Sequence, residues 1–126
     1  MGAEVTDQDE LAYLLRAAHR ACEEGPSTSD FEAEVAAVVD YIQANPECRE
    51  AASRLFIEQV QRSAGCIEVL EYCMHELRWP EVEEAVRDHL AASEDWRVKT
   101  ALAGVLAAFA DDWPDADMYE RWRATP

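Results

Sequence analysis

Apolar residues recur at helical spacing along nearly the whole chain, and strict alternation is nowhere sustained, so the pattern predicts an all-α protein. Leu11, Leu14, Leu15, Ala18 and Cys22 share one stripe of a first helix from about Thr6 to Glu24, which stops at Gly25-Pro26. Ser29 and Glu32 read as a capping box that opens a second helix, with Phe31, Val35, Val38, Val39 and Ile42 on its buried face. Asn45-Pro46 supplies an N-cap and an N1 proline for a third helix, which presents Cys48, Ala52, Leu55, Phe56 and Val60 and reaches about Ser63. Gly65 separates it from a fourth helix, about Cys66 to Arg78, carrying Ile67, Leu70, Cys73, Met74 and Leu77. Trp79-Pro80 opens a fifth, Pro80 to Ala92, with Val82, Val86 and Leu90 inward. Ser93 is placed to cap a sixth, Glu94 to Asp111, whose Val98, Leu102, Val105, Leu106 and Phe109 form the most apolar stripe of the chain. A short seventh, about Asp115 to Ala124, presents Met118, Tyr119 and Trp122. The expectation is about seven helices in antiparallel hairpins.

Three of the helix starts share a spacing. Asn45-Pro46-Glu47, Trp79-Pro80-Glu81 and Trp113-Pro114-Asp115 recur every 34 residues, a length typical of helix-hairpin repeats. Aligned on the prolines, Cys48 meets Val82 and Phe56 meets Leu90. The tetratricopeptide pattern of small and aromatic positions is not met. With Asp95-Trp96-Arg97-Val98 leading into a long apolar helix, residues 46 to 122 or so resemble a HEAT-like pair of stacked hairpins. An ordinary bundle of helices of similar length gives similar spacing, so a HEAT-like stack or a bundle are both open.

Composition narrows the class. The 126 residues, 14.2 kDa, suit one domain over residues 1–126, and 49% hydrophobic with 30% charged residues is too apolar for a disordered tail and too charged for a membrane span. Twenty-seven acids face eleven Lys and Arg, a net charge of −16, which is the wrong sign for direct nucleic-acid binding. Four glycines leave no room for a Gly-rich phosphate cradle. Neither a secretory pattern at the start nor an apolar run of spanning length is recognisable, which points to a cytoplasmic protein without a membrane partner. Cys22, Cys48, Cys66 and Cys73 form no CxxC pair and read as reduced, small apolar side chains.

Catalytic chemistry finds little to stand on. Only His19, His75 and His89 offer near-neutral bases, and none stands in a recognisable nucleophile arrangement; His89, on the apolar side of the fifth helix, reads as a core residue. The residues three before the histidines are Arg16, Tyr72 and Val86, which excludes the Glu-x-x-His of di-iron bundles. Cys66, Cys73 and His75 are the nearest approach to a zinc set, but Cys73 and His75 point about 200° apart on an ideal helix. The chain therefore reads as a non-enzyme without metal or cofactor.

Charge and tryptophan are the two anomalies. Ala21 to Cys48 carries seven acids and no Lys or Arg, and Asp111 to Glu120 carries five more, equally unopposed. If successive helices alternate up and down, one edge gathers Glu47, Glu50, Glu81, Glu83, Glu84, Asp111, Asp112 and Asp115. First-turn acids complement the helix dipole, but so large a total opposes compaction and points to solubility or a cationic partner. Trp79, Trp96 and Trp113 lie 17 residues apart at helix junctions, where such rings either plug the end of a bundle or anchor an interface. The expected partner-binding set is those acids other than Glu83, with Trp79 and Trp113.

In this small, acidic, all-helical character, and in Glu76-Leu77-Arg78-Trp79-Pro80-Glu81-Val82 with the stretch Val105 to Trp113, the chain resembles immunity proteins of bacterial polymorphic toxin systems. The resemblance implies an antitoxin that binds and neutralises a basic toxin domain, a nuclease among the candidates. The alternatives are a HEAT-like scaffold for an endogenous protein or peptide, and a ligand-binding bundle using His89 and the Cys66/Cys73 face.

Overall fold

The computed structural model describes residues 7–25, 27–63 and 65–123. They form six α-helices: α1 (Asp7–Glu24), α2 (Thr28–Ala44), α3 (Arg49–Arg62), α4 (Ile67–Leu77), α5 (Pro80–Ala92) and α6 (Trp96–Ala108). Two 3₁₀ turns, Pro46–Cys48 and Pro114–Met118, complete the set, and no strand occurs among the described residues. None of these helices is long and apolar enough to cross a membrane. The expected first residue of the first helix, Thr6, and last residue of the seventh, Ala124, lie outside the described residues.

The helices form two layers. α1 packs along α2; α3 lies beside α5, and α1 touches α3, so the odd helices share one layer. The even helices share the other, with α4 between α2 and α6. α4 is the most enclosed element, with Val69, Leu70, Tyr72, Cys73, Met74 and His75 all buried.

The seventh helix is replaced by the 3₁₀ turn Pro114–Met118 and an extended Tyr119, at φ −108° and ψ 139°. The cause is distant in sequence. The backbone N–H groups of Glu120 and Arg121 donate to the Glu32 carboxylate at 3.0 and 3.1 Å, where a helix would have turned them to its own carbonyls. This bend drives Tyr119 into the core against Phe31 and Tyr72, at ring-centroid distances of 6.1 and 5.0 Å. With Glu32 engaged there, α2 is capped two residues earlier than expected, by Ser27 with Asp30: the Ser27 N–H and hydroxyl both donate to the Asp30 carboxylate.

Other boundaries shift for local reasons. The third helix opens with its 3₁₀ turn, and the chain leaves α3 and α4 through left-handed residues, Ser63 at φ 50° and Arg78 at φ 51°. Asp95, not Ser93, caps α6 by accepting the Arg97 N–H at 2.9 Å, and α6 ends at Ala108, short of Asp111.

The four cysteines are not all reduced, as the sequence suggested. Cys22, in the last turn of α1, is joined to Cys66, the residue before α4, by a disulfide with the Cα atoms 6.3 Å apart, while Cys48 and Cys73 lie outside this bond and are buried. A pair 44 residues apart leaves no local spacing signal.

Two predictions follow from this packing. Trp113 is buried against His75, Tyr119 and Trp122, so Trp113→Ala is expected to cost ~3 to 5 kcal/mol in denaturant unfolding. A loss under ~1 kcal/mol would contradict its core placement. Closing a loop of this length restricts the unfolded chain, so reduction is expected to lower stability by up to about 4 kcal/mol, read as a drop in the urea midpoint on adding a thiol reductant.

Candidate functional site

α3 and α5 run side by side and leave shallow grooves on their outer surface. One is lined by Glu47, Arg49, Glu50, Arg54 and Glu81, the next by Glu81, Glu84, Asp88 and His89, so Glu81 stands where the two meet. The sequence dictates this arrangement in two ways. Glu81, Glu84 and Asp88 lie at i, i+3 and i+7 of α5, one stripe of a helix, while Val82 and Val86 turn into the core. Pro46 and Pro80 each open an element at the same end, and Arg49 ties those starts together through one guanidinium nitrogen, Nη2, which lies 2.9 and 3.0 Å from the two carboxylate oxygens of Glu81.

The guanidinium of Arg49 also lies 4.8 Å from the centre of the Trp79 ring. Trp79 itself is 6% exposed and packs edge-on against Phe56. Desolvation acts to raise the Glu81 carboxyl, but its own backbone N–H, Arg49 and Ser53 outweigh this and hold it below the usual carboxylate range. Glu50 pairs within α3 with Arg54 at 3.5 Å, whereas among the described residues Glu47 and Glu84 have no arginine or lysine within ion-pairing distance.

The structure thus brings Glu47, Glu50, Glu81 and Glu84 together and adds Asp88, which the sequence reading passed over although its position seven after Glu81 placed it on the same stripe. The remaining acids of the expected edge are arranged differently. Asp111 pairs with Arg78, which holds its carboxyl below the ordinary range, and Asp112 is exposed in the following turn. Asp115 acts on a second carboxylate cluster with Glu68 and Glu71. Trp79 and Trp113, at 6% and 5% exposure, are core rings, the bundle-plugging one of the two placements that the sequence left open. Trp96 is the exposed tryptophan, at 69%, with the Arg97 guanidinium 5.6 Å from its ring centre.

The three histidines have separate surroundings. Buried His75 donates Nδ1–H to the carbonyl of Ala108 at 2.7 Å, His19 Nδ1 accepts the N–H of Cys66 at 2.9 Å, and His89 Nε2 lies 3.3 Å from the Ser63 hydroxyl. His89 is half-buried at the surface between the ends of α3 and α5, not in the core as expected. Cys66, Cys73 and His75 are not assembled: Cys73 is enclosed, His75 is committed to Ala108, and Cys66 is joined to Cys22.

Compared with protein-family models, with curated proteins and with solved structures, the chain matches none. The class is therefore defined by its own geometry: a two-layer helical protein whose odd layer carries a carboxylate-lined groove.

The second cluster generates a pH prediction. Desolvation first, then the charges of Glu68 and Asp115, push the Glu71 carboxyl up to about 7, and its oxygen lies over Gly104. Since the folded value lies above the unfolded one of 4.5, the stabilising contribution is complete at pH below 4.5 and is lost as pH rises through about 7. Glu71→Gln should raise the melting temperature at pH 8 and change it little at pH 5. An equal shift at both values would contradict this.

Proposed function

We propose that this protein is an acidic helical binding protein that captures a basic protein partner along the α3–α5 groove, and that its role is that of an immunity protein neutralising a bacterial toxin domain. The observation that carries the reading is the groove itself: Glu47, Glu50, Glu81, Glu84 and Asp88 line it, opposed only by Arg49 and Arg54. In a chain of net charge −16 this surface attracts a cationic partner and repels nucleic acid. Carboxylates on a preformed helical face steer encounter and cost little ordering on binding, as suits an inhibitor that must act before its toxin does. The resemblance over Glu76 to Val82 and Val105 to Trp113 favours the same role.

The buried tryptophans change the recognition chemistry. Trp79 lies beneath Arg49 and so positions Arg49 and Glu81 from below, leaving the charged rim to meet the partner. The groove contains no exposed aromatic anchor, so affinity rests on charge complementarity more than on a central apolar plug.

The test is association with a basic toxin domain encoded by the neighbouring gene. Glu47 and Glu84 are exposed and outside the arginine pairs, so reversing both to Lys should leave the fold intact and slow association about tenfold at low salt, with dissociation nearly unchanged. Unchanged association of the double variant, or a gene neighbourhood without such a toxin, would overturn the reading.

A further inference from the structure

Glu68 directs a carboxylate oxygen at the joined cysteines, 3.0 Å from Sγ of Cys66 and 3.8 Å from Sγ of Cys22. In the disulfide neither sulfur carries a proton, so this oxygen has nothing to accept from either and its charge faces sulfur lone pairs. All three atoms lie within 4.8 Å of one another. Ligands held ~2.0 to 2.3 Å from one zinc ion are separated by roughly 3.3 to 3.8 Å, so the three donors are already gathered at the scale of a single ion once the sulfurs are freed.

The surroundings hold the donors independently of the S–S bond. Cys22 lies on α1 three residues after His19, and Cys66 immediately precedes α4, with Glu68 in the first turn. His19 Nδ1 accepts the Cys66 backbone N–H at 2.9 Å, fixing the approach of α1 to the start of α4. Gly65 adopts φ 76°, and a Cβ there would come within 2.8 Å of the His19 ring, so the loop is shaped to this contact. Two thiolates select a soft, tetrahedral ion over calcium or magnesium.

We propose that Cys22, Cys66 and Glu68 form a zinc site in the dithiol state, of which the disulfide is the oxidised, metal-free form. A dithiol reductant supplies two electrons and two protons and becomes a disulfide itself; the Cys22–Cys66 bond breaks and two thiols form. Zinc then displaces the two thiol protons, forms two Zn–S bonds and one Zn–O bond, and leaves its fourth position to solvent. A disulfide oxidant reverses the sequence: it takes two electrons from the thiolates and two protons from solvent to become a dithiol, the Zn–S bonds break, the Cys22–Cys66 bond forms and Zn²⁺ is released.

The experiment compares reduced and oxidised protein, freed of reductant, titrated with Zn²⁺ against a chromophoric chelator and with Co²⁺ by absorption. Expected are one tightly held zinc per reduced chain, none at that affinity in the oxidised chain, and a thiolate-to-cobalt charge-transfer band. Cys22→Ser should abolish the band, Glu68→Gln should weaken zinc binding about tenfold or more, and Cys48→Ser should change neither. If Cys22→Ser fails to fold, reduced wild type against Glu68→Gln decides. Absence of zinc uptake by reduced wild type, equal uptake by the oxidised form, or undiminished affinity in Glu68→Gln would overturn the proposal.

Discussion

One oxygen of Glu76 accepts hydrogen bonds from Arg121 Nε and Trp122 Nε1, both at 3.0 Å, and on this contact the enclosure of α4 depends. α4 presents buried side chains on most of its circumference, so helices alone cannot cover it; the segment after α6 must fold back and supply Trp113, Tyr119 and Trp122. Arg121 is largely covered there and is met by Asp40 at 3.2 Å and by Gln43 at 3.4 Å in addition to Glu76. Desolvation alone would raise the Glu76 carboxyl, but the hydrogen bonds from Arg121 and Trp122 reverse it, so the pair stays ionised. Removing Arg121 leaves the partly desolvated Glu76 charge without its cation, which is why this latch matters more than the exposed ion pairs at Glu50–Arg54 or Glu58–Arg62.

The groove follows from the same arrangement. With α4 fixed, Arg78 turns the chain through a left-handed residue, its Nε donating to the His75 carbonyl, and Trp79 is delivered inward against Phe56. That ring carries Arg49, which holds Glu81, and the acidic stripe of α5 is thereby presented on the opposite side of the layer from the aromatic latch. Core and charged surface are linked through one tryptophan.

The elements legible in the sequence are those whose cause is local. The stripes Phe31 to Ile42 and Val82 to Val86 are buried because a 3.6-residue period places them together whatever the rest of the chain does. The larger departures involve partners far apart in sequence. The terminal segment lacks its helix because Glu32, 88 residues before Glu120, takes its N–H groups. Cys22 meets Cys66 across the approach of α1 to α4, and Trp79 and Trp113 satisfy either an interface or a core until their neighbours are known. For the candidate site, charge pattern located Glu47, Glu50, Glu81 and Glu84, whereas Arg49, which organises them, drew no attention because a lone arginine in an acidic stretch has no periodic signature.

The central claim is that the Glu76–Arg121 latch holds the terminal segment as the cover of α4. Hydrogen exchange of Arg121→Ala against wild type tests it most directly. Faster exchange is predicted throughout residues 113–123 and in the amides of α4, with α1 little changed. Loss of protection confined to the residues around position 121, with α4 as protected as in wild type, would contradict the account.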